Sequence, residues 1–225
     1  MIVVPKNDSQ YLAHFTKSRP FFNSDKNDPS APLLQMDALG RLISILNSRT
    51  ITSSVMPWTN TRAVCFTECP WFSLLQHVNS YSSYGIGFNK KVVYNKGGNP
   101  VFYANPDIFF RDGWPEEIKG FFTPFVPRYA SKEMKKKLGS VRSDKSPKSD
   151  AVDYSHEREW RILGDFSFDY DEIAFVVLKR VEDLESIPEY IRQEIGLDRF
   201  IFIDAYTAVE DLWPTHIIGD EQHDS

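Results

Sequence analysis

Cysteine is scarce in this chain of 225 residues. Only Cys65 and Cys69 occur, too few for a disulfide framework and in keeping with free thiols in a reducing compartment. Long apolar runs are missing too. No stretch reaches the roughly 20 apolar residues that span a bilayer, and residues 1–8 lack the basic segment and apolar run of a secretory signal, so a cytoplasmic protein is expected. Positive charge is in deficit, with 26 Lys and Arg against 31 Asp and Glu and a net charge of -5, which excludes a global nucleic-acid-binding field. Familiar phosphate and nucleophile loops are absent: there is no GKS/T loop and no GxSxG elbow, and Gly85 and Gly87 lack the third glycine and following helix of a dinucleotide fingerprint. Cys65, Cys69 and His77 make a lone CxxxC without a second pair, so no metal is expected.

Aromatics fill part of the gap. They make up 14% of residues, so the core should draw on Phe, Tyr and Trp, and the length suits one α+β domain over 1–225. Residues 11–16 read as a short strand ending near His14, and 20–32 as a polar loop. Leu39, Leu42, Ile43 and Leu46 recur at helical spacing and predict a helix over 34–48. A buried strand over 63–67 leads past Pro70 into a short helix with Trp71, Leu74, Leu75 and Val78. Residues 84–88, 91–94 and 101–103 are expected to form an antiparallel meander. Short helices over 106–127 should cover one side of the sheet. Strands are expected at 159–163, 173–178 and 200–203, with a helix over 188–195 stopped by Gly196. Basic residues concentrate over 128–148, so 131–151 is expected to be a mobile basic loop, and 219–225 an acidic frayed tail.

Three constellations invite chemistry. On a strand, Glu157, Glu159 and Arg161 would share one face and Trp160 and Ile162 the other; carboxylate beside guanidinium can stabilise developing positive charge, or simply be a solvated strand face. His14 and Thr16 would point the same way and could meet a ribose or diphosphate, although a lone histidine bonded to backbone is the plainer reading. Tyr81 and Tyr84 precede Gly85 and Gly87, which would let a flat ligand approach the backbone with a tyrosine stacked on it; an aromatic core with a tight bend is the alternative.

In order and type these segments resemble the AbiGi abortive phage resistance family, and more distantly the DarT-like and poly(ADP-ribose) polymerase-like transferases of the ADP-ribosyltransferase-like superfamily. The likeness is carried by Leu12-Ala13-His14-Phe15-Thr16-Lys17-Ser18, the helix segment from Leu42 to Ser48, Val64-Cys65-Phe66-Thr67-Glu68-Cys69-Pro70, His77 with Tyr81 through Phe88, Gly98 through Tyr103, and Glu157-Arg158-Glu159-Trp160-Arg161-Ile162. The resemblance implies two small antiparallel sheets around an NAD cleft with flanking helices. It assigns His14 to a ribose, Tyr81 or Tyr84 to the nicotinamide, and Glu159 to the 2'-hydroxyl of the reacting ribose. Where polymerase-like members carry a tyrosine, this chain has Cys65 before Phe66, which adds Phe66 to the candidates. AbiGi proteins have also been labelled antitoxins.

The function implied is phage defence by transfer of ADP-ribose from NAD to an acceptor. Glu159 would stabilise an oxocarbenium-like state, Arg161 would flank it, Glu157 would activate the acceptor, and His14 with Thr16 would fix the far ribose. Lys135, Lys136, Lys137 and Arg142 could attract a nucleic-acid acceptor; protein or water remain open, the latter making an NAD glycohydrolase. The competing expectation is a non-enzymatic antitoxin-like or phage-sensing module with a cognate toxin or antitoxin partner. The spatial consequence is definite: His14 and Glu159 should face one cleft.

Overall fold

The computed structural model describes residues 9–17, 36–68, 82–111, 113–139, 153 and 155–205, with side chains 138, 139 and 156 left aside. The expected loop over 20–32, the helix after Pro70, the loop over 140–151 and the tail over 219–225 lie outside the described residues, as do Cys69, His77, Tyr81 and Arg142.

In chain order the strands are β1 (Tyr11–Phe15), β2 (Thr50–Ile51), β3 (Ser54–Val55), β4 (Arg62–Glu68), β5 (Gly85–Asn89), β6 (Asn99–Pro100), β7 (Phe102–Ala104), β8 (Phe122–Pro124), β9 (Glu159–Leu163), β10 (Phe166–Ser167), β11 (Ile173–Leu178) and β12 (Phe200–Phe202). The helices are α1 (Ala38–Ser48), α2 (Lys90–Asn95), α3 (Pro106–Phe109), α4 (Glu116–Lys119), α5 (Lys132–Gly139) and α6 (Glu189–Ile195). The architecture is α+β. One sheet runs β12-β11-β5-β1-β4-β9-β6 with β3 also on β4, and two ribbons pair β10 with β2 and β7 with β8. One eight-stranded sheet therefore replaces the two small sheets expected. Most pairings are antiparallel; β11 with β12 and β7 with β8 are parallel.

Period-two alternation sorts the central strands into two faces. One face carries Leu12, Phe66, Ile86, Phe88, Ile162 and Val176, and buries them against Leu42, Ile45 and Leu46 of α1, Val93 of α2 and Ile191 and Ile195 of α6. The helix α1 begins at Ala38, later than its apolar spacing suggests, because the Asp37 side chain accepts from Gly40 N and caps it there. Arg49, in the left-handed region at φ 51°, ends it. The other face buries Ala13, Phe175, Val177 and Ile203 with Phe15 packed beside them.

Several expectations need correction. The span 91–94 is helical, within α2: Asn89 accepts from Lys91 N, and Lys91 is exposed while Val93, two residues on, is buried, which an alternating strand would not give. The described residues over 84–103 do not form an antiparallel meander, since β5 pairs β1 and β11, β6 pairs β9, and β7 turns to β8. Residues 132–139 form α5 instead of a loop. Glu157 lies in a 3-10 turn, Ser155–Glu157, not on the strand; Arg158 at φ 45° separates it from β9.

Candidate functional site

The most concentrated polar chemistry among the described residues lies on the sheet face opposite α1, at the junction of β4, β9 and the β7–β8 ribbon. Thr67 pairs with Glu159 and Cys65 with Arg161, so these four side chains share that face. Arg161 is 4% exposed and grips both oxygens of Glu159, Nε to Oε1 at 2.7 Å and Nη2 to Oε2 at 3.0 Å. Its remaining donors reach the carbonyls of Gly120 at 2.9 Å and Phe122 at 3.1 Å and the Thr123 hydroxyl at 2.6 Å. Such a two-point fork is the geometry in which guanidinium and carboxylate hold each other most firmly. Burial by itself would lower the Arg161 pKa, but its neighbours, Glu159 first and then Cys65, together outweigh it and the group is held more basic than usual.

Glu159 is further framed by Tyr103, whose hydroxyl accepts from Glu159 N at 3.2 Å and whose pKa burial raises. Burial, then the nearby charge of Glu159, pushes the Cys65 thiol up to about 12, so it is a protonated thiol in contact with Met56 Sδ at 3.7 Å rather than a nucleophile. Glu157 is pushed up to about 7 by burial, with Glu159 adding repulsion. Tyr103, Thr123 and Gly120 were not among the residues singled out from sequence. Only the Glu159–Arg161 spacing pointed here, because Tyr103 and Thr123 arrive on a ribbon whose parallel pairing has no local signature, and Gly120 on the turn that leads into it.

His14 does not join this group. Ala13 pairs with Thr67, on the Glu159 face, so the next residue along β1 points the other way. The His14 ring meets Phe66 edge-on at 6.1 Å and its Nδ1 lies 2.8 Å from the Cys65 carbonyl, to which the Nδ1–H tautomer donates. The expected convergence of His14 and Glu159 on one cleft is overturned by this register. Thr16 is 3% exposed and donates to the Ala38 carbonyl at 2.6 Å, fastening β1 to the start of α1.

The aromatic candidates are likewise committed. Phe66 is 1% exposed, packed edge-on to Phe88 and Phe166. The Tyr84 hydroxyl donates to Asp183 Oδ2 at 3.0 Å and is pushed up to about 12 by burial and that carboxylate. The backbone at Gly85 and Gly87 is not open to a flat ligand, because the rings of Phe15 and Phe175 already lie against it: a Cβ at Gly87 would stand 2.2 Å from Phe175 Cζ and one at Gly85 2.8 Å from Phe15 Cδ1. The side chains that the resemblance assigns to NAD are thus spread over two faces and mostly bonded to protein.

A second charged group sits on the α1 face. Glu68, 8% exposed, accepts from Ser9 N at 3.1 Å and pairs with Lys90 at 3.1 Å and Arg158 at 3.3 Å, with Lys90 also over the Trp160 ring at 5.7 Å. Lys135 donates to the Arg128 carbonyl and Lys137 pairs with Asp107, while Lys136 is exposed. Among the described residues no group of three or more His, Cys, Asp or Glu is placed to hold a metal ion, and no helix is long and apolar enough to cross a membrane.

Residues 46–190, more than half of the chain, match the model of a family described as "Putative abortive phage resistance protein AbiGi, antitoxin". No curated protein and no solved structure matches.

Proposed function

The chain belongs to the AbiGi family of abortive phage resistance proteins, and from that premise we propose that it acts as a non-catalytic antitoxin, holding a toxin protein rather than turning over NAD. One observation carries the reading: both carboxylate oxygens of Glu159 are taken by the buried Arg161 guanidinium. A carboxylate meant to stabilise an oxocarbenium-like state must face the sugar, and a histidine meant to hold the same dinucleotide must face it too. Here the carboxylate faces its own neighbour and His14 lies on the other side of the sheet. The family's description as an antitoxin supports the same conclusion.

Two measurements test it together. The full chain incubated with NAD, with and without RNA, DNA and protein fractions, is expected to release no nicotinamide above buffer. Co-expressed with its toxin, the chain is expected to restore growth, and Glu159→Gln to restore it as well wherever a melting curve shows that variant folded. Nicotinamide release that Glu159→Gln abolishes would overturn the proposal in favour of ADP-ribosyl transfer or NAD hydrolysis.

A further inference from the structure

Outside the cores, exposed apolar side chains occur close together where α3 meets β8. Phe102 on β7 is 48% exposed, Ile108 on α3 41% and Phe110 just after it 37%. A buried ring supports them: Phe122 on β8 lies 5.2 Å from Phe102 and 4.7 Å from Trp114, and the Trp114 indole donates to the Ile108 carbonyl at 3.0 Å. The platform is rigid from below, since Arg161 holds the carbonyl of Phe122 and the hydroxyl of Thr123. Its flank is α5, with four lysines against one glutamate in eight residues, tied to α3 by Lys137 and Asp107.

We propose that this face, centred on Phe102, Ile108 and Phe110 and flanked by α5, is where the chain docks a protein partner that presents an apolar contact beside carboxylates. The inference rests on the antitoxin reading, with the toxin as that partner. An apolar centre inside a polar rim is the anatomy of a protein interface, and preorganised aromatic anchors are where binding energy concentrates. Charge sets the partner's sign: within a chain of net charge -5, this flank is basic, so the facing rim is acidic. A nucleic acid fits less well. Lys137 is already paired with Asp107 and Glu133, which leaves too short a track of cations for a phosphate backbone but enough for the polar rim of a protein contact.

The test uses purified full-length chain and toxin candidates from the neighbouring reading frames, with affinity measured by calorimetry. Phe102→Ser with Ile108→Ser is expected to weaken binding by about tenfold or more. Lys132→Glu with Lys136→Glu, both exposed and remote from the cores, is expected to slow association and reduce its salt dependence. Unchanged melting curves show that the variants are folded. A wild-type chain that binds a toxin, with both variants binding as tightly, overturns the docking face and leaves the antitoxin reading standing. A wild-type chain that binds no toxin and relieves no arrest overturns both. Labelled single-stranded oligouridine that binds wild type and is lost with these variants, while toxin binding is unaffected, assigns the face to nucleic acid and overturns the protein partner.

Discussion

A methyl group at position 87 would meet the Phe175 ring at 2.2 Å, so Gly87→Ala is expected to destabilise the fold by about 1–3 kcal/mol through overpacking, and Phe175→Leu in the same chain to recover part of that loss in urea melts. Arg161 is the more demanding position. Its replacement by Met strands Glu159 with a charge only 12% exposed and leaves two carbonyls and a hydroxyl without their donor, which predicts a loss of about 3–5 kcal/mol. Glu157 sets a pH dependence. Folded, it keeps its proton to about 7, against 4.5 for the carboxyl in isolation. Between these values the folded state binds more protons than the unfolded chain, so the Glu157 contribution to stability falls as pH rises through that window. Glu157→Gln should flatten the slope, read as urea midpoints at about pH 5 and about pH 8.

Arg161 also explains how separate elements become one layer. The ribbon of β7 and β8 has only three residue pairs, too short for independent stability, and it is bonded to β9 through Arg161 and to Glu159 N through Tyr103. Hydrogen exchange of the amides in β7 and β8 is therefore expected to accelerate in Arg161→Met more than that of β1 or β5, which lie in the middle of the sheet. Equal acceleration everywhere would mean that Arg161 supports the whole sheet rather than the ribbon. Helix limits were legible where local chemistry sets them, as Gly196 does for α6; in α1 the core-facing Leu42 and Leu46 were legible but the start at the Asp37 cap was not. The helix α2 was hidden by its valines and tyrosine, residues that favour strands, and only the Asn89 cap with burial of Val93 resolves it.

At the scale of the molecule, membership of the AbiGi family and the distribution of the candidate residues bear together on function. Restoration of growth without consumption of NAD is expected of the molecule as a whole, because it depends on surfaces rather than on one side chain. Composition and local pattern by themselves determined the α+β class, the strands around Phe66, Glu159 and Val176, and the strand face that Glu159 shares with Arg161, since each follows from spacing within a few residues. Which residues meet across the chain was decided by tertiary structure. Strand register places Ala13 opposite Thr67 and Thr67 opposite Glu159, and a shift of one residue would have turned His14 to the same face. Nothing near His14 or Glu159 in sequence encodes that register, because it is set by which side chains the two faces of the whole sheet can bury.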